Sequence, residues 1–293
     1  MRTFVYRAFA LFLLIVGMPA EARLREAQMD VPVQVTTAAG RRVAQPIRVT
    51  LFWDDANPRP APVLVLNHGR APAAADRAAF GRARYHVAAG FFAERGFIVA
   101  VPTRIGYGVS GGEDVEDSGA CATRRYAPAY EAALAQTLAV LNAVRERPGV
   151  DGTRAVIVGQ SFGGAVAIAA AAHPPAGLVA TINFAGGGGG NPITQAQHPC
   201  SPQAMGQLFM EYGRLARLPT LWLYAENDQY FGPTYPRGWF QTFRQAGGNG
   251  EFVQFPPQGD DGHKLFTAFP EVWQPQVGAF LDRLGFPRIS AGR

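Results

Sequence analysis

The chain has 293 residues, of which 48% are hydrophobic and 17% are charged. This composition excludes an intrinsically disordered chain and is typical of a globular protein with a large core. The formal net charge of +5 is scattered, without any block of five basic residues, which argues against a nucleic-acid partner.

The first 22 residues have the pattern of a secretory signal peptide. Arg2 and Arg7 accompany an apolar run from Ala8 to Val16, and the small-x-small triplet Ala20-Glu21-Ala22 follows. The alternative is an N-terminal membrane anchor, but this run is shorter than the about 20 residues that a spanning helix requires. We therefore predict cleavage after Ala22, a mature domain over residues 23–293, and a periplasmic or secreted protein that does not associate with the membrane.

The mature part alternates short apolar runs with segments of helical spacing. Two β-rich runs at 31–37 and 47–53 flank Gly40 and predict a leading hairpin. Further strands are predicted at 63–69, 97–102, 155–161, 178–184, 219–225 and 251–255, and helices at 85–96, 129–149, 163–175 and 272–285. Strands that are apolar throughout are typical of a sheet buried on both faces. The order predicts one α/β domain with a mostly parallel, doubly wound sheet.

One connection between predicted strands is unusually long. Residues 186–217 begin with five glycines and separate the strand at 178–184 from the strand at 219–225. Long connections in compact domains are often functional. We predict a small cap over the site here, and an ordinary loop is the alternative.

The stretch "VIVGQSFGG" at 156–164 indicates a nucleophile. A buried strand runs into Gly159-Gln160-Ser161-Phe162-Gly163, and a small-residue helix follows, which is the context of a nucleophile elbow. The turn is so sharp that residues two positions on either side of the central one must lack a Cβ. Gly159 and Gly163 meet this requirement, so we predict that Ser161 is a nucleophile.

A serine nucleophile needs a base and an acid that orients the base. Of the five histidines, His263 is the best candidate for the base, because it follows the last predicted strand through a loop and precedes the last helix. Asp228 lies just beyond the strand at 219–225, between serine and histidine in chain order. We predict Asp228 as the orienting acid and Glu226 as the alternative.

The oxyanion of a tetrahedral intermediate needs backbone N–H donors. One is expected from the residue after the nucleophile, Phe162, and one from the loop after the strand at 63–69, at Arg70. Gly69 in "LNHGR" would let that loop turn towards the nucleophile.

Motifs for cofactors and metals are weak or absent. "GYGVSG" at 106–111 fits the dinucleotide pattern G-x-G-x-x-G, but an acidic segment follows it instead of a helix. A phosphate-binding P-loop would require a lysine after its glycines, and the single lysine of the chain is Lys264. We predict no cofactor and no metal.

With these residues in place, the chain resembles the α/β-hydrolases, in particular the dienelactone hydrolase-like branch. The resemblance rests on His68-Gly69, "RIGYGVSGG" at 104–112, the elbow, "AENDQYF" at 225–231 and "GHKLF" at 262–266. It also extends to the catalytic domains of prolyl oligopeptidase-type peptidases, but this chain has no β-propeller region. Dienelactone hydrolases carry a cysteine in the elbow, so Ser161 departs from that pattern and favours a general ester hydrolase.

The two cysteines fall in loops that should meet at the carboxyl edge of the sheet. Cys121 lies after the strand at 97–102, and Cys200 lies in the segment 186–217. Because an exported chain can keep a disulfide, we predict that these residues form one and tie the two loops over the site.

The predicted function is a serine hydrolase that cleaves carboxylic esters of small molecules. The triad would be Ser161, Asp228 and His263. A serine peptidase, an acyltransferase and a catalytically silent binding protein of the same fold stay open as alternatives.

Overall fold

The structure is a computed structural model that describes residues 24–286 and residue 288. The predicted signal peptide lies outside the described residues, so it stays a prediction. Within the described part of the chain, no helix combines the length and apolar character needed to cross a bilayer.

The described residues form one eight-stranded sheet in the order β1-β2-β4-β3-β5-β6-β7-β8. The strands are β1 (Leu24–Thr36), β2 (Arg42–Asp54), β3 (Ala61–Asn67), β4 (Ile98–Pro102), β5 (Val150–Gln160), β6 (Leu178–Phe184), β7 (Thr220–Ala225) and β8 (Gly250–Phe255). β2 pairs antiparallel with both β1 and β4, and all other neighbouring pairs are parallel. The mostly parallel sheet and its leading hairpin are confirmed.

Helices cover both faces of this sheet. They are α1 (Ala74–Ala78), α2 (His86–Ala93), α3 (Tyr126–Arg145), α4 (Phe162–Ala172), α5 (Pro202–Leu215), α6 (Thr234–Gln245), α7 (Leu265–Ala268) and α8 (Pro270–Arg283). One core lies under α3 to α6, and the other lies under α2, α7 and α8. Within β5, residues 155–158 are all apolar because they are buried on both faces: Ala155 and Ile157 face the first core, whereas Val156 and Val158 face the second.

The long connection 186–217 has two parts with different roles. Its second half is α5, which buries Met205, Leu208, Phe209 and Tyr212 against the first core. This half is therefore the ordinary crossover helix between β6 and β7. Before this helix, Gly187 to Gly190 line a cavity that also contains Ser161, and a cap formed by this part of the connection stays a prediction.

Candidate active site

Ser161 occupies the sharp turn between β5 and α4. Its φ of 55° and ψ of −121° are a strained conformation for a residue with a side chain. A Cβ at Gly159 would overlap the backbone of Gly163, and a Cβ at Gly163 would overlap the carbonyl of Asn67. The two glycines are thus required by the close approach of strand, turn and helix, as the sequence motif predicts.

The loops after β7 and β8 bring Asp228 and His263 together. His263 Nδ1 lies 2.9 Å from Asp228 Oδ2, and the aspartate is fully buried. The other carboxylate oxygen, Oδ1, accepts the backbone N–H groups of Tyr230 at 2.8 Å and Phe231 at 3.0 Å. Because both oxygens are occupied, the carboxylate is held in one orientation. The alternative acid, Glu226, is exposed at the end of β7.

The imidazole of His263 is enclosed by aromatic rings and anchored through its backbone. Tyr230 stacks on it with ring centroids 3.9 Å apart, and Phe231 meets it edge-on at 5.3 Å. Asp261 Oδ1 accepts the backbone N–H of His263 at 3.0 Å and that of Gln229 at 3.1 Å. This aspartate therefore ties the histidine loop to the loop that carries Asp228.

Ser161 and His263 line the same cavity, together with Gly69 and Tyr85. Among the described residues, the serine hydroxyl and the imidazole form no direct hydrogen bond. Such contacts often tighten only when substrate binds. Since Nδ1 faces Asp228, the nitrogen available to the serine is Nε2.

The loop after β3 runs directly beside the nucleophile. A Cβ at Gly69 would lie only 3.1 Å from Ser161 Cβ, so glycine allows the close approach. In the described part of the chain, the N–H groups of Arg70 and Phe162 donate to no carbonyl or side chain. Phe162 is the first residue of α4, where the N–H has no intrahelical acceptor. Both predicted oxyanion donors therefore belong to residues that line the site.

Buried charges that no sequence motif indicated hold this loop in place. Arg104 and Glu116 form a fully buried ion pair with Nε 2.5 Å from Oε1. Arg104 also donates to the carbonyls of His68 at 2.8 Å and Gly69 at 3.4 Å. Burial, together with the charge of Arg104, lowers the pKa of His68 well below its ordinary value. The neutral ring accepts the Arg104 backbone N–H on Nε2 and donates from Nδ1 to the Gly69 carbonyl.

A second ion-pair cluster lies on the outer side of the same loop. Arg70 binds Asp114 through two contacts, one of them 2.7 Å long, and Arg77 lies 3.0 Å from the same carboxylate. Burial alone would raise the pKa of Asp114, but the two guanidinium groups lower it below its ordinary value. Arg77 also donates to the carbonyls of Ala71 and Pro72.

The structure joins Cys121 to Cys200 by a disulfide, with the two Cα atoms 5.0 Å apart. Tyr126 donates its hydroxyl to the Cys200 carbonyl, and Ser201 donates its hydroxyl to the Cys121 carbonyl at 2.7 Å. The bridge thus links the loop before α3 to residues 186–201, whose glycines line a cavity beside Ser161.

The comparison with protein families identifies the chain. The model of the dienelactone hydrolase family matches residues 78–258, which is more than half of the sequence. The chain belongs to the dienelactone hydrolase family. The matched region includes Ser161 and Asp228 and ends before His263. As a member of this family, the protein is a hydrolase.

Solved structures with the same α/β-hydrolase fold include two esterases and a peptidase. The Pyrococcus furiosus esterase Pf2001 is 16% identical with a TM-score of 0.55, over 87% of this chain and 90% of that one. The acetyl xylan esterase from Paenibacillus sp. R4 is 17% identical with a TM-score of 0.59, over 92% and 86%. The acylaminoacyl peptidase of Pyrococcus horikoshii is 13% identical with a TM-score of 0.60, over 91% of this chain but 43% of that one. These low identities show the shared fold alone, and a comparison with curated proteins found no match.

Proposed function

We propose that this protein is a serine hydrolase that cleaves carboxylic esters of small molecules through an acyl-enzyme on Ser161. The observation that carries the proposal is the arrangement of three side chains. The strained serine and an imidazole bound to a buried aspartate line one cavity. A fixed nucleophile next to an oriented base is the arrangement that acyl transfer requires.

In the proposed reaction, His263 Nε2 takes the proton of Ser161 while the serine oxygen attacks the ester carbonyl. Asp228 holds the imidazole in the tautomer with a proton on Nδ1 and stabilises the imidazolium that forms. The N–H groups of Phe162 and Arg70 donate to the oxyanion. The imidazolium then protonates the leaving alcohol, and a water activated by the same histidine releases the acid.

The disulfide supports the proposal that the protein is exported. A disulfide is typical of proteins in oxidising compartments, which fits the predicted signal peptide. The same triad would serve a peptidase or an acyltransferase, so the substrate panel must contain aminoacyl amides and an acceptor alcohol beside the esters.

The test is covalent labelling with a fluorophosphonate probe, followed by peptide mapping and by turnover of short-chain esters. The wild type should be labelled on Ser161 and should hydrolyse esters, whereas Ser161→Ala should lose both properties. Ser110→Ala is a matched control. The Ser110 hydroxyl donates to the Thr103 carbonyl within the loop region, and Ser110 does not line the cavity that holds Ser161 and His263. A folded wild type without labelling or turnover of any substrate would favour the binding-protein alternative.

A further inference from the structure

The contacts of His263 described so far do not reach the nucleophile. Asp228 lies 2.9 Å from its Nδ1, and Asp261 accepts its backbone N–H, but both aspartates belong to the loops after β7 and β8. These contacts orient the imidazole within its own surroundings. They do not fix its distance from Ser161, which lies in the turn after β5. A displacement of about 1 Å between reacting groups can lower a rate by about 100-fold.

One hydrogen bond joins the nucleophile turn to the histidine loop. Gln160 is the last residue of β5 and directly precedes Ser161. Its side-chain Nε2 donates to the backbone carbonyl of His263 at 3.3 Å. In the described part of the chain, no other hydrogen bond joins residues 159–163 to residues 256–264. The Gln160 amide is therefore the direct hydrogen-bonded link between the nucleophile and the base.

The hydroxyl of Tyr85 holds the other end of this amide. It donates to Gln160 Oε1 at 2.8 Å. A backbone carbonyl can only accept, so the amide must direct its nitrogen to His263 and its oxygen to Tyr85. Burial raises the pKa of the Tyr85 hydroxyl to about 12, so at neutral pH it keeps its proton and remains a donor. Because the bond to His263 is longer than the usual about 2.7–3.2 Å, it depends on an amide that is held firmly.

Tyr85 is fixed by both its backbone and its ring. It precedes α2 in the left-handed conformation, with φ of 48° and ψ of 44°, which is uncommon for a residue with a side chain. Its ring packs against Phe266 of α7, the helix that directly follows the histidine loop, with ring centroids 5.4 Å apart. Tyr85 and Gln160 line the cavity that holds Ser161 and His263. Backbone strain of this kind concentrates at functional sites.

We propose that Gln160 and Tyr85 are positioning residues that set the distance between the His263 imidazole and Ser161. This inference rests on the proposed function. Gln160 acts through the His263 carbonyl, and Tyr85 acts through the Gln160 amide. Both should therefore affect the chemical step more than substrate binding, and the Tyr85 hydroxyl should have no effect once the amide is gone.

The test measures the hydrolysis of p-nitrophenyl acetate by Gln160→Met, Tyr85→Phe and the double variant. Methionine has a similar length without the amide, and phenylalanine keeps the ring against Phe266. In Gln160→Met, kcat should fall about 10- to 100-fold with KM nearly unchanged. Tyr85→Phe should lower kcat by a smaller factor. The double variant should be no slower than Gln160→Met, because residues that act through one contact are not additive.

Gln254→Met is the matched control. Gln254 lies in β8 and also uses both ends of its amide, because it donates to the Pro233 carbonyl at 2.9 Å and accepts from Arg237. It does not line the cavity that holds the triad serine and histidine. This variant should keep the wild-type kcat. Circular dichroism shows which variants fold, and Tyr85→Phe provides the measurement if Gln160→Met does not.

The outcomes separate this inference from the proposed function. A wild-type kcat in folded Gln160→Met, or in Tyr85→Phe where Gln160→Met does not fold, would overturn the positioning role and leave the esterase proposal standing. So would losses that multiply in the double variant, or a raised KM in place of a lowered kcat. A wild type that hydrolyses no ester and is not labelled on Ser161 would overturn both.

Discussion

Glu116 and Glu113 lie on one loop, but their ion pairs should contribute very differently to the stability of the fold. Glu116 pairs with Arg104 where both side chains are fully buried, whereas Glu113 pairs with Arg41 at the surface, with side-chain exposures of 37% and 61%. Replacing Glu116 by glutamine conserves volume but leaves a buried guanidinium without its counter-charge. Such a loss costs about 3–5 kcal/mol. The carbonyls of His68 and Gly69 still accept from Arg104, so the lower end, about 3 kcal/mol, is expected.

This loss should be visible in thermal melts followed by circular dichroism. For a domain of this size, about 3 kcal/mol corresponds to a midpoint lowered by about 6–12 °C. Glu113→Gln should leave the midpoint almost unchanged, because surface ion pairs contribute little. Equal midpoints for the two variants, or a larger loss in Glu113→Gln, would refute the assignment of Arg104 and Glu116 as a structural pair.

The same variant should also lose activity. The Gly69 carbonyl and the Arg70 N–H belong to one trans peptide, so they point in opposite directions. Arg104 and His68 hold that carbonyl, and they therefore fix the direction of the proposed oxyanion donor. In Glu116→Gln we expect kcat to fall by about tenfold or more with KM nearly unchanged, since an oxyanion donor acts mainly in the transition state. An unchanged kcat in the folded variant would show that the loop does not depend on this ion pair.

Three further predictions concern the base, the disulfide and buried His68. His263→Ala should lower ester turnover by about 10³- to 10⁶-fold, and activity within tenfold of the wild type would mean that another group is the base. Replacing Cys121 and Cys200 by serine should lower the free energy of unfolding in urea by about 2–4 kcal/mol, since the bridge closes a span of 79 residues; no change would contradict the bridge. Because the pKa of His68 is lowered on folding, only the unfolded chain binds its proton as the pH falls below about 6.5. Stability should therefore fall by up to about 1.4 kcal/mol per pH unit below that value, and His68→Asn should flatten this slope in pH-dependent urea titrations.

The order of strands and the elbow could be predicted because their signals are local. Strands that are buried on both faces are largely apolar, and β6 and β7 were predicted to within one residue at each end for this reason. The strand β5 begins five residues before its predicted start, because its first residues are polar and only partly buried. The elbow requires glycines on either side of Ser161 for steric reasons that depend on the immediate neighbours alone. Local sequence therefore carries both features.

Two crossover helices were not predicted, for different reasons. The helix α6 contains Pro236 and Gly238, which have low helix propensity, and it is stabilised by burying Trp239 and Phe243. In α5, the apolar residues Met205, Leu208, Phe209 and Tyr212 recur at helical spacing, so the signal was present. The five glycines at the start of the connection favoured the prediction of a cap, so the helical spacing of these residues was not interpreted as a helix.

The charged residues that support the site could not be paired from the sequence. Arg104 lies 12 positions from Glu116, and Arg70 lies 44 positions from Asp114. Which carboxylate each arginine meets depends on how the loops after β3 and β4 pack at the sheet edge. The sequence offers other acidic residues in the same loops, so only tertiary structure selects the partners.

The segment 228–231 both orients the Asp228 carboxylate and encloses the His263 imidazole. Its backbone N–H groups at Tyr230 and Phe231 fix one oxygen of Asp228, which leaves the other oxygen for His263. The side chains of the same two residues enclose the imidazole from its face and its edge. One short turn therefore orients the acid and restricts the base together. Since a hydroxyl is a weaker nucleophile than a thiolate, a family member with serine in its elbow depends more on such an oriented base.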